Sequence, residues 1–238
     1  RVFQDSDVAK WLEAASYSLQ KRSNPGLEKK ADEIIDLMAQ AQLENGYLNT
    51  YFITQEPDKK WTNLPDWHEL YCGGHMIEAA VAYYNATGKD KLLQVMQDFA
   101  DLIYEKFGTG PGQRQGYPGH EEIELALIKL YRVTDKEKYL ELSKFFIDER
   151  GKEPNYFVKE AEARDGDPEY WDLLGYKYNQ AHKPVREQKE AVGHAVRAMY
   201  LYSGMADIAR ETGDDSLYEA CKRLWDNVTN KRMYITGG

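Results

Sequence analysis

Three of the five histidines stand at matched places before turns of similar sequence. His75, His120 and His194 precede by 12, 14 and 18 residues the threonine that begins a Thr-Gly or Thr-Asp turn. If the repeated units are parallel in space, the three imidazoles converge at one end of the array. An imidazole can donate and accept hydrogen bonds at neutral pH, which suits a hydroxyl-rich ligand. We predict that these three histidines bind substrate, although one histidine near a helix start is more often structural.

Several carboxylates accompany the histidines and could orient an imidazole or hold a sugar hydroxyl. Glu78 lies three residues after His75, and Glu124 lies four residues after His120, so each pair shares one helix face. Taken singly, each of these carboxylates is more typical of a solvated surface. A glycosidase needs two groups flanking one bond, and the sequence singles out no such pair. Glu69, Glu121 and Glu122 are also close to the histidines in the sequence, and each of them is likewise more typical of a solvated surface.

Metal-ligand and thiol patterns are weak. CxxC and HExxH motifs are absent, and three histidines with a glutamate would have to come from distant helices. Cys72, three residues before His75, is more typical of a buried core cysteine than of a nucleophile. With Cys221 it makes only two cysteines, which argues against a disulfide framework and mildly favours a cytoplasmic location. We therefore predict no metal ligands and no cofactor in this chain, and these patterns leave its catalytic residues open.

The elements that carry these residues are predicted to be almost all helical. Asp5 or Ser6 would cap a helix over about 5–22, and Asn24 with Pro25 would begin a second over 25–43. A helix, a turn and an amphipathic helix then recur three times, with turns at Thr87-Gly88, Thr134-Asp135 and Thr212-Gly213. Such hairpins must stack on their neighbours, either as an open solenoid or as a closed toroid. Small residues before the first turn favour the inner ring of a toroid.

Two long irregular stretches, about 45–67 and 150–188, are rich in aromatic residues. Aromatic rings can stack on the flat C–H faces of sugars, or they can simply anchor the loops to the core. The rings concerned are Tyr47, Tyr51, Phe52, Trp61 and Trp67 in the first stretch, and Tyr156, Phe157, Tyr170, Trp171, Tyr176 and Tyr178 in the second.

Composition limits the partners. The net charge of −9 argues against nucleic acid and anionic membranes, and no apolar run approaches the length of a membrane span. We predict one helical domain over residues 1–238 with a carbohydrate as its ligand.

Four segments together resemble the bacterial β-L-arabinofuranosidase family, glycoside hydrolase family 127. They read WHELYCGGHMIEAAVAYYNATGK, GYPGHEEIELALIKLYRVT, QAHKPVREQKEAVGHAVRAMYLYSGMAD and KRMYITGG. The resemblance implies an all-α (α/α)6 toroid, retaining release of terminal L-arabinofuranose from plant-type glycans, and sugar contacts by His75, His120 and His194. It also implies a zinc-bound cysteine nucleophile and a glutamate acid/base, neither of which matches a residue here. We therefore expect a truncated part of the toroid, with zinc only in the full-length parent.

Two alternatives stay open. One is another toroid carbohydrate enzyme, namely an unsaturated glycuronyl hydrolase, a lyase or an epimerase. The other is a non-catalytic helical-repeat scaffold that binds proteins.

Overall fold

The fold is built from helices joined by short turns and two longer segments. A computed structural model describes residues 1–164, 166–167 and 175–237. The helices are α1 (Asp5–Lys21), α2 (Pro25–Ala41), α3 (Thr50–Thr54), α4 (Glu69–Thr87), α5 (Lys91–Lys106), α6 (Ile123–Thr134), α7 (Glu137–Glu149), α8 (Tyr156–Ala163), α9 (Ala195–Thr212) and α10 (Asp215–Asn227). Within these described ranges there is no β-strand, only one isolated bridge between Phe107 and Arg114. The prediction of an all-α fold is confirmed.

The first two helices begin in different ways. Asn24 caps α2 as predicted, because its Oδ1 accepts a hydrogen bond from the N–H of Leu27 at 3.1 Å. The predicted cap of α1 by Asp5 or Ser6 is wrong, since no side chain bonds the first turn from the N-cap position. The carboxylate of Asp5 instead accepts bonds from the N–H of Thr50, at 2.7 Å, and from its hydroxyl. A tertiary contact with α3 has replaced the local cap.

The three repeated turns share a left-handed residue directly after the helix. Gly88 and Gly213 adopt φ angles of 72° and 66°, as expected for glycine at this position. Asp135 takes the same conformation without glycine, at φ 56°. An aspartate caps the following helix in one repeat, where Asp214 accepts a bond from the first turn of α10, whereas Asp90 makes no such bond before α5.

The helices pack in two rows. In the first row α1 contacts α4, α4 contacts α6, and α6 contacts α9; in the second row α2 contacts α5, and α5 contacts α7. The first three hairpins each place one helix in each row. One hydrophobic cluster fills the space between the first hairpins, and a second lies under α9 and α10.

Helix α4 is buried on almost every side, and its glycines explain how neighbours come so close. A Cβ at Gly73 would lie 2.7 Å from the ring of Phe99 on α5. A Cβ at Gly74 would overlap the carboxylate of Glu122 before α6. Small residues therefore permit close approach from both rows, as the sequence suggested. This helix carries His75 into the interior.

The aromatic loops are mainly anchored to the core. Tyr47, Phe52, Trp61 and Phe157 are all at most 8% exposed, so they offer no open platform for a sugar. Tyr47 and Trp61 pack edge to face with ring centroids 5.2 Å apart. The remaining rings of these stretches are half-buried; Tyr170 and Trp171 lie outside the described residues. Of the platform rings that the structure describes, only Tyr178 borders a pocket with the histidines.

No helix of the described part has the length and apolar character needed to cross a bilayer.

Candidate functional site

A pocket of about 420 Å³ opens where α1, the start of α4 and the segments before α6 and α9 meet. We call it the histidine pocket. It is lined by Phe3, Ser6, Asp7, Lys10, His68, Tyr71, His120, Tyr178, His194 and Arg197. A larger space of about 720 Å³ lies between α9 and the C-terminal segment, but its lining is mostly apolar and offers little chemistry.

His120 stands at the centre of a cluster of rings. Its ring centroid lies 5.5 Å from that of His68, 5.9 Å from that of His194 and 4.3 Å from that of Tyr71. Tyr200 on α9 approaches it at 6.0 Å. Two of the three histidines singled out by sequence, His120 and His194, therefore line one pocket.

His75 belongs to the same cluster but lies deeper. It is 3% exposed, does not line the pocket, and packs behind Tyr71 with ring centroids 4.5 Å apart. Its helical position differs from the other two, since it lies in the second turn of α4, whereas His194 is the N-cap of α9 and His120 precedes α6 by three residues. The repeat therefore brings the three side chains together without placing them equivalently.

Sequence reasoning missed two ring residues on α4 and its N-cap, although a signal was available. Tyr71 lies four residues before His75, and His68 lies seven before it, so all three share one helix face. His68 has no partner in the repeated pattern, so that pattern does not single it out, yet it faces His120 and lines the pocket.

The pocket histidines are held neutral. Burial, assisted by the nearby positive charge of Arg197, lowers the pKa of His68 to about 4. Burial lowers the pKa of His120 to about 3, with Arg197 again contributing. The pKa of His194 is lowered for the same two reasons. At neutral pH each ring therefore offers one N–H donor and one acceptor nitrogen.

The hydrogen bonds of two rings fix which nitrogen carries the proton. His120 Nδ1 lies 2.8 Å from the carbonyl oxygen of Glu121, which can only accept, so Nδ1 carries the hydrogen and Nε2 is an acceptor. His194 Nδ1 accepts a bond from the N–H of Arg197 at 3.4 Å, so its Nε2 carries the hydrogen. The Nε2 atom of His120 therefore supplies an acceptor, and the Nε2 atom of His194 supplies a donor.

The nearby carboxylates are buried, which corrects the expectation of a solvated surface. Glu69, Glu78, Glu121, Glu122 and Glu124 are each at most 6% exposed. Their burial follows from tertiary contacts with several other elements, which a single helix face cannot reveal.

His75, Glu78 and Glu122 form a group that we call the His/Glu trio. His75 Nδ1 lies 3.6 Å from Glu78 Oε2 and 3.4 Å from Glu122 Oε1. Burial raises the pKa of Glu122 well above its ordinary value, and the adjacent Glu78 adds to this. Burial alone would raise the pKa of Glu78 as well, but the hydrogen bond with Glu122 and the ion pair with Lys129 lower it.

Glu124 does not face His120 as its spacing suggested. Its carboxylate accepts a bond from the N–H of Glu122 at 3.0 Å and lies 3.1 Å from the guanidinium of Arg150. Glu121 also pairs with Arg150, at 3.0 Å, and burial raises the pKa of Glu121 to about 8.

The His/Glu trio is the one group within the described ranges whose ligand atoms could hold a metal ion, since these atoms lie within 4.8 Å of one another. A cysteine-rich zinc site does not fit here. Cys72 is fully buried among the residues packed around α4, and burial raises the pKa of its thiol far above the ordinary value. Cys221 packs against the separate cluster under α9 and α10. Neither Cys72 nor Cys221 forms a disulfide.

Comparison with known proteins gives a consistent result. A family described as beta-L-arabinofuranosidase, GH127 catalytic domain, matches residues 1–238. A non-reducing end β-L-arabinofuranosidase of Bifidobacterium longum subsp. longum is 45% identical over 99% of this chain and 37% of its own length.

Solved structures agree with this match. A β-L-arabinofuranosidase of Geobacillus stearothermophilus T6, from the same family, superposes with a TM-score of 0.98 at 59% identity, covering all of this chain and 38% of that one. A second β-arabinofuranosidase of the family gives a TM-score of 0.87 at 43% identity, over 99% of this chain and 36% of that chain. The chain thus spans less than two fifths of the relatives that it matches. Since the family match extends over every residue, the chain belongs to the catalytic-domain family of glycoside hydrolase family 127 β-L-arabinofuranosidases.

Proposed function

We propose that this chain is the sugar-binding part of a retaining glycosidase that releases terminal L-arabinofuranose from plant-type glycans. The names of the relatives supply the activity. The observation that carries the proposal is the histidine pocket, where the neutral rings of His120 and His194 lie 5.9 Å apart. One acceptor and one donor at this spacing suit two hydroxyls of one small sugar ring.

The three histidines have different tasks in this proposal. His120 and His194 contact hydroxyls from the pocket wall, with Tyr178 edge-on to His194 at 5.6 Å. His75 completes the site from behind Tyr71, in the layer that separates the sugar from the buried carboxylates. No residue of the chain is assigned the role of nucleophile or acid/base.

The two rows of helices support the proposal that residues 1–238 form part of a single (α/α)6 toroid. Both end hairpins expose apolar side chains, namely Val8, Trp11 and Tyr17 on α1, and Met199 and Trp225 on α9 and α10. Apolar faces of this size are normally covered, and further hairpins of a longer chain would cover them.

The zinc expected for the family would be held by residues outside this chain. This is supported by the positions of Cys72 and Cys221, which belong to separate clusters and cannot share a metal without large rearrangement. Two free thiols also favour a reducing compartment such as the cytoplasm.

One observation favours a second candidate, an enzyme acting on an acidic sugar. Lys10 and Arg197 both line the histidine pocket, and among the described residues neither has a carboxylate within 4.0 Å. Lys10 donates instead to the hydroxyl of Tyr71 at 2.7 Å. Two such cations could bind the carboxylate of a uronic acid.

Binding and hydrolysis test the proposal together. The chain should bind methyl β-L-arabinofuranoside, which cannot leave the furanose form, and prefer it to methyl glucuronide in isothermal titration. Changing His120 or His194 to Ala should weaken binding at least ~10-fold, because each removes a buried hydrogen-bonding partner. The longer protein that contains the chain should hydrolyse p-nitrophenyl β-L-arabinofuranoside, and the same variants should slow it.

The matched control is His182→Ala. This histidine borders a different surface pocket with Lys177 and Glu187. Its loss should leave affinity and activity unchanged. Wild-type activity in His75→Ala, His120→Ala and His194→Ala alike would remove the site assignment, and tighter binding of the glucuronide would favour the second candidate.

A further inference from the structure

Arg150 is a fully buried arginine that bonds to both segments carrying the pocket histidines. It follows α7 directly and does not line the histidine pocket. Its Nη2 donates to the carbonyl oxygen of Pro118 at 2.7 Å, and its Nη1 donates to that of Asn179 at 2.8 Å. Nη1 also pairs with Glu121 at 3.0 Å. One rigid group thus joins residues 117–122, which we call the His120 loop, to the segment before His194.

The His120 loop depends on such contacts because, of its six residues, Glu122 alone takes part in a helical hydrogen bond, accepting from the N–H of Ala126 at 3.3 Å. The carbonyl oxygen of Gly119 accepts bonds from Asn179 Nδ2 at 2.9 Å and from Arg197 Nη1 at 3.0 Å. The N–H of Gly119 donates to Leu64 at 2.9 Å. A Cβ at Gly119 would lie 2.2 Å from the carbonyl oxygen of Pro65, so the loop also sits tightly on the preceding segment. Movement of Pro118 or Asn179 would therefore move His120.

The connection to His194 runs through the residue before Asn179. The carbonyl oxygen of Tyr178 accepts a bond from the N–H of His194 at 3.2 Å, and the two rings lie 5.6 Å apart. Arg150 thus holds Asn179, Asn179 is bonded to Gly119 beside His120, and its neighbour Tyr178 is bonded to His194.

An arginine is required here for geometric reasons. The planar guanidinium donates to two carbonyls and to the carboxylate of Glu124, lies 3.0 Å from that of Glu121, and stacks over Tyr117 at 4.9 Å. A lysine ammonium is a single point that cannot span these partners. A buried ion pair is in general a poor source of stability, which leaves fixed geometry as the benefit of this one.

We infer that Arg150 is a positioning residue that sets the separation and orientation of His120 and His194 without touching the ligand. This inference rests on the proposed role of the histidine pocket in sugar binding. Part of the sugar affinity of the pocket would then depend on a buried residue that does not line the pocket.

Two variants of the full 238-residue chain test it. Arg150→Lys keeps the positive charge but loses the planar guanidinium with its separate Nη1 and Nη2 donors. Asn179→Ala removes only the side-chain hydrogen bond to the carbonyl oxygen of Gly119. Both should weaken binding of methyl β-L-arabinofuranoside by ~10-fold or more, since small misplacements of binding groups are costly. The imidazole signals of His120 and His194 in long-range ¹H–¹⁵N spectra should shift in both variants, while those of His182 stay in place.

Arg186→Lys is the matched control, because Arg186 also bridges two carboxylates, Asp148 and Asp214, but contacts no pocket residue. It should leave the affinity and the ring signals unchanged. In a double variant, the combined loss caused by Arg150→Lys and His120→Ala should be less than the sum of the two single losses, since part of the effect of Arg150 acts through His120.

The outcomes separate cleanly. A folded Arg150→Lys chain with unmoved ring signals and affinity within twofold of wild type overturns the inference, and so does an equal effect of Arg186→Lys. If Arg150→Lys does not fold, Asn179→Ala decides by the same two measurements. If the wild-type chain binds no furanoside, the proposed function fails, and the ring signals alone then decide the positioning role.

Discussion

Glu69, the first residue of α4, should make the stability of the chain depend on pH. It is 1% exposed and accepts hydrogen bonds from the hydroxyl of Tyr47 and from the N–H of Trp61, the latter at 2.8 Å. Burial raises its pKa from 4.5 to about 7, although the two hydrogen bonds oppose this. Its neighbour in the sequence is the pocket residue His68.

The sign follows from proton binding in the two states. Between pH 4.5 and 7 the folded chain keeps a proton at Glu69 that the unfolded chain has released. The free energy of unfolding therefore falls as pH rises through this window and levels off above it. At about 1.4 kcal/mol for each tenfold change in a proton-binding constant, the loss is roughly 3 kcal/mol.

The assay compares the chain with its Glu69→Gln variant by urea unfolding from pH 4.5 to 7.5. The amide can accept from Trp61 and donate to the hydroxyl oxygen of Tyr47, so both contacts survive. The stability difference should shift in favour of the variant by about 3 kcal/mol across the range. Histidines such as His120, whose lowered pKa makes stability rise with pH, cancel in the difference.

Glu33→Gln is the control, because Glu33 is exposed and pairs only with Lys30. Its difference from wild type should be nearly flat with pH. A Glu69→Gln difference that varies by less than about 1 kcal/mol would refute the reasoning, since Glu69 would then titrate as an ordinary carboxyl.

Three further outcomes are expected. Gly213→Ala should cost about 1 kcal/mol in urea unfolding because φ is 66°, whereas Gly26→Ala, in a helical position with room for a Cβ, should not destabilise the chain. Asp214→Ala should cost about 1 to 2 kcal/mol through loss of the α10 cap, and the exposed Asp215→Ala should change stability by less than about 0.5 kcal/mol. Metal analysis of the purified chain should find no stoichiometric zinc; one tightly bound equivalent that is lost in Glu122→Gln would contradict this and assign the metal to the His/Glu trio.

The helices and turns were accessible from sequence because their causes are local. Asn24 bonds an N–H three residues away, and Gly88 and Gly213 relieve strain in their own backbone. The failed cap at Asp5 marks the limit of this reasoning, since a partner 45 residues away took its carboxylate. Rules for helix caps fail where a residue distant in the sequence forms hydrogen bonds with the capping side chain, as Thr50 does with Asp5.

The buried carboxylates show a second limit. The spacing of Glu78 correctly placed it beside His75, but Glu124 does not face His120, and both carboxylates are buried rather than solvated. The two stretches predicted as irregular contain the short helices α3 and α8, and their aromatic content did not show that rings such as Trp61 and Phe52 pack into the core. Whether a side chain is buried depends on the element that packs against it, and the sequence of its own segment does not identify that element.

By itself the sequence predicted an all-helical fold, which the structure confirms, and it singled out three histidines at matched places before similar turns. Only the tertiary structure decided that His120 and His194 line the pocket with His68, that His75 lies behind Tyr71, and that Arg150 links their supporting segments. The physical reason is range: helix propensity and turn strain act over a few residues, whereas ring contacts, desolvation and buried ion pairs join residues far apart in the chain.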